Sequence, residues 1–97
     1  MAVYVDDFRM QSTVGRIHSR WSHLSADTKR ELHDFARQLG LKESWFQDKG
    51  DHRWHYDVTD GKRTHAIKLG AVPITAVEMV KIMRRPGREG LNDRGGN

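Results

Sequence analysis

Two stretches of this sequence join the end of a helix, a leucine–glycine pair and the start of a strand. The first contains Leu39-Gly40-Leu41 and the second Leu69-Gly70-Ala71. Glycine readily takes the left-handed conformation that commonly ends a helix. Strands that alternate with such helices favour parallel pairing through right-handed crossovers. We therefore expect an α/β fold: a small three-stranded, mostly parallel sheet with β-α-β-α-β-α order and flanking helices.

Capping patterns and apolar spacing predict where the helices lie. Thr28 with Glu31, and Thr75 with Glu78, are capping-box pairs that begin the first and last helices. Another helix is expected between residues 59 and 69. The apolar face of the first helix consists of Leu32, Phe35, Ala36 and Leu39. Strands are expected at residues 3–5, 44–47 and 71–74, and residues 8–26 are expected to be irregular.

The length and the charge distribution limit the class of protein. Ninety-seven residues without cysteine make one domain without disulfides or thiolate zinc sites. We assign residues 1–83 to a single small α/β domain and residues 84–97 to a flexible, basic, Gly-rich tail. No leader-like segment or apolar run of about 20 residues is present, so a cytoplasmic protein without a membrane partner is expected. The net charge of +4 is concentrated in the tail and in residues 8–26, which contain no acid.

Polar residues follow the predicted strands. In an open parallel sheet, ligands bind beyond the carboxyl ends of the strands. Asp6 and Asp7 follow the first strand, and Gln47 ends the second. Paired carboxylates can hold a divalent ion or act as acid and base, although aspartate is also common in turns and caps.

The segment His52-x-x-His55-x-Asp57 has three interpretations. Two imidazoles and a carboxylate with an open position would form a catalytic metal site. Alternatively, His55 and Asp57 form a proton-transfer pair, in which the carboxylate orients the imidazole. A solvated loop is the third reading. The cofactor therefore stays unknown, with a divalent metal as one alternative.

Cations indicate where an anion would bind. Arg9 and Arg20 lie in the acid-free segment, with Trp21 beside them. Lys62 and Arg63 lie on the first turn of the second helix, where they oppose the helix dipole unless an anion is nearby. A phosphate-bearing ligand would satisfy both groups, and solvated surface positions would also explain them.

Several motifs together resemble domain-of-unknown-function family 4031, which consists of short proteins of actinobacteria and their phages. The match covers about residues 3–83, and its motifs are Val3-Tyr4-Val5-Asp6-Asp7, Arg20-Trp21-Ser22-His23-Leu24 with Ala26-Asp27, Glu31-Leu32-His33-Asp34-Phe35-Ala36, Trp45-Phe46-Gln47, His55-Tyr56-Asp57-Val58-Thr59, and Lys62-Arg63 followed by Ala66 and Leu69-Gly70-Ala71. The resemblance implies no activity. It implies that the polar members of these motifs, including His23 and Tyr56, are candidate site residues.

These observations lead to one functional expectation and one alternative. We expect a domain that binds a phosphorylated small molecule or nucleic acid at the carboxyl edge of the sheet, with hydrolysis as the reaction if it is an enzyme. The expected catalytic residues are Asp6, Asp7, His23, His55 and Asp57. The expected ligand-binding residues are Arg9, Arg20, Gln47, Tyr56, Lys62 and Arg63. The alternative is a non-catalytic phage or bacterial protein that binds a host or partner protein, in the host cytoplasm if a phage encodes it.

Overall fold

The computed structural model describes residues 2–88, which form a five-stranded mixed sheet and three α-helices. A short 3-10 helix spans Glu43–Trp45. In chain order the elements are β1 (Val3–Val5), β2 (Met10–Val14), β3 (Ile17–Ala26), α1 (Lys29–Leu39), β4 (Tyr56–Thr59), α2 (Asp60–Lys68), β5 (Val72–Pro73) and α3 (Ala76–Met83).

Strand β3 is the centre of the sheet. Val5 of β1 and Tyr56 of β4 both pair with Leu24, so these two strands lie on opposite sides of β3. Strand β2 pairs with the first half of β3 and forms a hairpin with it, and β5 runs parallel to β1. Three of these four pairings are antiparallel.

The expected three-stranded, mostly parallel sheet with β-α-β-α-β-α order is therefore wrong. Residues 8–26, expected to be irregular, contain β2 and the whole of β3. Every residue of β2 is exposed, so this strand has none of the apolar alternation that marks a half-buried strand. The strand expected at residues 44–47 is also wrong, because its first two residues belong to the 3-10 helix and only Gln47 forms a bridge, to His55.

The predicted helices are confirmed, and their capping residues act as the sequence indicates. The Thr28 side chain accepts a hydrogen bond from the Glu31 amide at 3.1 Å. Gly40 ends α1 with φ at 85°, a left-handed conformation that a residue with a Cβ adopts only with strain. The capping box of Thr75 and Glu78 is complete, with hydrogen bonds in both directions.

The two faces of the sheet carry different helices. Val5 lies in a core with residues of α1 and α2, whereas its neighbour Tyr4 packs with Met79, Ile82 and Met83 of α3. Because successive residues of a strand point to opposite faces, α1 and α2 cover one face and α3 covers the other.

Arg88 ties the end of the described chain to the domain. Its guanidinium donates to the carbonyl of Ala26 and to the Ser25 hydroxyl, and it lies 3.7 Å from the centroid of a Trp54 ring. Both Arg88 and Trp54 are buried. Residues 89–97 of the expected tail lie outside the described residues.

Candidate metal centre

The alternation of β3 and β4 brings three metal-ligating side chains onto the α3 face of the sheet. His23 and Asp57 are direct partners across the antiparallel pair. Their strand neighbours Leu24, Tyr56 and Val58 are buried in the core on the opposite face. His55, two residues before Asp57, therefore shares its face. The donors thus lie on a face of the sheet, not at the carboxyl edge expected from the sequence.

An irregular segment between β1 and β2 brings Asp6 to His23. Val5 pairs with Leu24 and Met10 with Trp21, so the four residues 6–9 lie opposite only two residues of β3. Such a bulge bends a strand and redirects side chains, and bulges are common beside active sites. Arg9 takes a left-handed φ of 46° within it. The bulge therefore turns the Asp6 carboxylate toward β3.

Asp6 holds His23 in one orientation. The Asp6 carboxylate is buried and accepts hydrogen bonds from the His23 backbone amide at 2.8 Å and from the Phe8 amide at 3.2 Å. His23 Nδ1 lies 2.7 Å from the other carboxylate oxygen. This hydrogen bond raises the pKa of His23 in spite of its partial burial, and the charges of Asp6 and Asp57 raise it further. With Nδ1 donating to Asp6, Nε2 of His23 is the nitrogen left to bind a ligand.

His55 and Asp57 are each held by a further group. His55 Nδ1 lies 2.7 Å from the carbonyl oxygen of Arg53, which can only accept, so Nδ1 carries the hydrogen. The Gln47 amide donates to Asp57 Oδ2. Burial alone would raise the pKa of Asp57, but hydrogen bonds from His55 and Gln47 and the nearby His23 lower it overall. The carboxylate is thus held in its ionised form.

Three potential metal donors lie close together on this face. One ligand atom each from His23, His55 and Asp57 lies within 4.8 Å of the others. His55 Nε2 and Asp57 Oδ1 are 3.2 Å apart. Two ligands each about 2.0–2.1 Å from a tetrahedral metal lie about 3.3 Å apart. Two imidazoles and one carboxylate are a common donor set for catalytic zinc and for other first-row metals.

A cavity of about 320 Å³ lies between this face of the sheet and α3. His23 and His55 form part of its wall, and Arg53 and Arg84 also line it. His52 lines it as well, and the buried Nδ1 of His52 has no hydrogen-bond partner among residues 2–88. An unsatisfied buried nitrogen is costly, so a bound polar group would stabilise it.

Four expected site residues have structural contacts instead. Asp7 accepts a hydrogen bond from the first amide of α3, that of Ala76, at 2.9 Å. The Tyr56 side chain is buried on the opposite face, with its hydroxyl 2.9 Å from His33 Nδ1. The other two are cations that bond to backbone carbonyl oxygens, Lys62 to Leu39 at 2.8 Å and Arg63 to Asp6 at 2.7 Å.

The remaining two cations act on the carboxylate of Asp60, which is not one of the metal donors. Arg9 forms a two-pronged ion pair with Asp60, at 3.1 and 2.8 Å. The hydrogen bond and charge of Arg9 lower the pKa of Asp60, with smaller contributions from Arg20 and Arg63. Arg20 lies an even number of residues from Leu24 and therefore on the α1 and α2 face. The expected cations thus do not join the metal donors.

The sequence hypothesis for a metal used His52 with His55 and Asp57, whereas the structure brings His23 to this pair. The sequence includes His23 among the expected catalytic residues, but it does not place His23 opposite Asp57, because His23 lies in a segment expected to be irregular. One local signal was available. In His55-Tyr56-Asp57-Val58, polar and apolar residues alternate as in a half-buried strand, which places His55 and Asp57 on one face.

The fold and these donors define a small mixed-sheet α/β protein with a candidate two-histidine, one-carboxylate metal centre. Residues 3–86 match the family described as a protein of unknown function (DUF4031), and the chain belongs to that family. This match confirms the resemblance seen in the motifs. No curated protein and no solved structure matches the chain. Across residues 2–88, no helix has both the length and the apolar character needed to cross a bilayer.

Proposed function

We propose that the protein is a metal-dependent hydrolase of a phosphate-bearing ligand, with the metal bound by His23, His55 and Asp57. The observation that carries this proposal is that each donor has its own supporting partner: Asp6, the Arg53 carbonyl and Gln47. Outer partners of this kind fix the tautomer and direction of metal ligands. Their presence favours a site built for a metal over a chance cluster of polar residues.

The donor set suits hydrolysis because it leaves coordination positions open. A bound Zn²⁺ with three protein ligands would lower the pKa of a water molecule to about 7. In the proposed reaction the water oxygen bonds to phosphorus, the ester P–O bond breaks, and the leaving oxygen takes up a proton. His23, His55 and Asp57 would hold the ion.

The cavity beside the donors supports an anionic ligand. Arg84 lines it from the end of α3, and Arg53 lines it next to His55. Arg53 also pairs with Asp51 at 2.6 Å, so Arg84 is the cation we assign to the ligand. Arg9, Arg20, Lys62 and Arg63 have other contacts or lie on the other face, and we give them no role in binding phosphate at this centre.

Metal binding is the first test. We expect Zn²⁺ to bind one per chain in calorimetry, and Co²⁺ to give the visible absorption of a low-coordinate site. His55→Ala and Asp57→Asn should remove this binding. His65→Ala is the matched control, because His65 is exposed on α2 and away from the donors. Equal binding by all three variants would refute the centre.

Activity is the second test, with the small phosphodiester bis(p-nitrophenyl) phosphate. We expect Zn²⁺- or Mn²⁺-dependent release of p-nitrophenol that His55→Ala abolishes and His65→Ala preserves. Metal binding at the predicted donors without hydrolysis of this ester, or of the corresponding monoester, would keep the centre and reject the reaction.

The β2–β3 hairpin favours a second candidate function, binding of a partner protein. Met10, Val14 and Ile17 are 56%, 52% and 52% exposed on it. Exposed apolar side chains of this kind often mark interaction sites. Trp54 is fully buried and does not belong to this patch. If the protein acts only in this way, no divalent metal will raise its melting temperature.

A further inference from the structure

The metal donors border two different depressions. His23 and His55 line the cavity under α3, whereas Asp57 and Gln47 line a groove of about 660 Å³ beside the β2–β3 hairpin. Only 3.2 Å separates His55 Nε2 from Asp57 Oδ1, so the candidate centre lies between the cavity and the groove. A single mononucleotide would need only one of these spaces. A chain with residues on both sides of its reacting phosphate would use both.

We propose that the ligand of this centre is a single-stranded nucleic acid, which binds in the groove beside the hairpin. The inference rests on the proposed function, because the groove reaches the centre only through Asp57 and Gln47. It specifies the class of phosphate-bearing ligand and a binding surface outside the metal donors.

Aromatic side chains give the groove its affinity for bases. Trp21 and Trp45 both line it, and Trp45 is 49% exposed. The Trp21 indole donates to the Ser12 carbonyl oxygen at 3.1 Å, which fixes its ring against the hairpin. Aromatic side chains bind unpaired bases by stacking, with little regard to sequence. Bases in a duplex are already stacked on each other, so this contact favours a single strand.

The charge of the groove matches a phosphate backbone. Arg16 and Lys62 line it, and Asp57 is the single carboxylate among the described residues that line it. Lys62 already donates to the Leu39 carbonyl, so we assign the main phosphate contact to Arg16, which lies exposed at the tip of the hairpin. The whole segment 8–26 lacks an acid. A basic groove with aromatic side chains is the usual surface for single strands, whereas an acid-free apolar surface alone would fit a partner protein.

The test measures binding of fluorescein-labelled oligo(dT) and oligo(U), each about 10 nucleotides long, to the full chain in EDTA. EDTA keeps hydrolysis out of the measurement, and the two oligonucleotides distinguish DNA from RNA. We expect anisotropy to show salt-dependent binding, with a duplex of equal length at least about tenfold weaker.

Two variants locate the binding surface. Trp45→Ala should weaken binding by at least about fivefold through the loss of stacking. Arg16→Ala should weaken it and lower the slope of log affinity against log salt by roughly one. The matched controls are Val77→Ala and Arg30→Ala, which remove an exposed apolar side chain and an exposed cation outside the groove. Both controls should bind as the unchanged chain does.

Several outcomes would overturn the inference. Equal loss in Arg16→Ala and Arg30→Ala would mean that general charge attracts the oligonucleotide. Equal affinity for the duplex would exclude a single-strand groove. A dimer in sedimentation that Trp45→Ala dissociates, without oligonucleotide binding by the monomer, would assign the surface to self-association.

Failure of nucleic-acid binding is distinguishable from failure of the proposed hydrolase. Oligonucleotide binding in EDTA should be unchanged in His55→Ala, because stacking and phosphate contacts need no metal. Hydrolysis of the small phosphodiester is measured separately, on the unchanged chain, because that ester needs the metal centre and not the groove. If the unchanged chain hydrolyses the small phosphodiester but does not bind the oligonucleotide, only the nucleic-acid ligand is rejected. If it binds the oligonucleotide but does not hydrolyse the ester, only the hydrolase is rejected.

Discussion

Asp6 contacts His23 through both of its carboxylate oxygens. One accepts the backbone amide of His23 at 2.8 Å, and the other lies 2.7 Å from the Nδ1 atom of the ring. The first contact fixes the position of the residue, and the second fixes the direction and tautomer of its ring. Asp6 is almost fully buried and His23 only partly, so the carboxylate supports a ring that reaches the cavity.

Replacement of Asp6 should weaken metal binding without removing it. In Asp6→Asn the amide can still accept the backbone hydrogen bonds, but it loses the charge that orients and supports the imidazole. Outer partners of metal-bound histidines contribute about 10–100-fold to affinity, so we expect a loss of that size in Zn²⁺ calorimetry.

The adjacent carboxylate provides the control for this experiment. Asp7 accepts a hydrogen bond from the Ala76 amide at the start of α3, and an asparagine can accept the same bond. Asp7→Asn should therefore leave the Zn²⁺ affinity unchanged. If both variants lose affinity equally, the effect is one of general negative charge and Asp6 has no special relation to His23.

Local signals in the sequence predict the helices well but not the sheet. The capping pairs and Gly40 depend on neighbours a few residues away, and they determine where the helices begin and end. Strand β2 is held by pairing with β3 and has no buried face, so its sequence carries no period of two. Alternating strands and helices predict a parallel sheet, but the β2–β3 hairpin is antiparallel and was not predicted.

The candidate site also combines residues that a local pattern identifies with residues that only the strand pairing brings together. His55 and Asp57 are close in the chain, and the sequence presented them as a pair. Asp6 and His23 are brought to them by the register of β1, β3 and β4, which no local pattern determines. Lys62 and Arg63 were expected to bind phosphate, but each donates to a backbone carbonyl oxygen instead. No sequence pattern indicates a partner of that kind.

Tyr56 should contribute to stability and not to the metal centre. Its hydroxyl lies 2.9 Å from His33 Nδ1, on the face opposite His55 and Asp57. Tyr56→Phe keeps the ring in the core and removes this hydrogen bond, which should lower the free energy of unfolding by about 1 kcal/mol. Urea denaturation measures that change. An unchanged stability with a lost Zn²⁺ affinity would contradict the assignment.

Arg88 should be required for full stability, although it follows the last helix. Arg88→Ala removes hydrogen bonds to Ser25 and Ala26 and uncovers Trp54, so we expect the free energy of unfolding to fall by roughly 2–4 kcal/mol. Arg85→Ala is the control. Arg85 is exposed and forms a 3.6 Å ion pair with Asp27, so its replacement should lower the free energy of unfolding by less than about 1 kcal/mol. Equal urea midpoints for the two variants would show that the chain after α3 adds nothing to the domain.

The loop that carries His55 should lose stability in acid through Asp51. Hydrogen bonds from the guanidinium and the backbone amide of Arg53 lower the pKa of Asp51 from 3.8 to about 2. Because the folded-state pKa is depressed, this contribution is complete above pH 3.8 and is lost as the pH falls through about 2. Asp51→Asn should therefore melt at a lower temperature than the unchanged chain near pH 6, with the two melting temperatures converging toward pH 2. Melts followed by circular dichroism in EDTA measure this difference, and a gap that widens as the pH falls would mean that the Arg53 contacts do not stabilise the charged carboxylate.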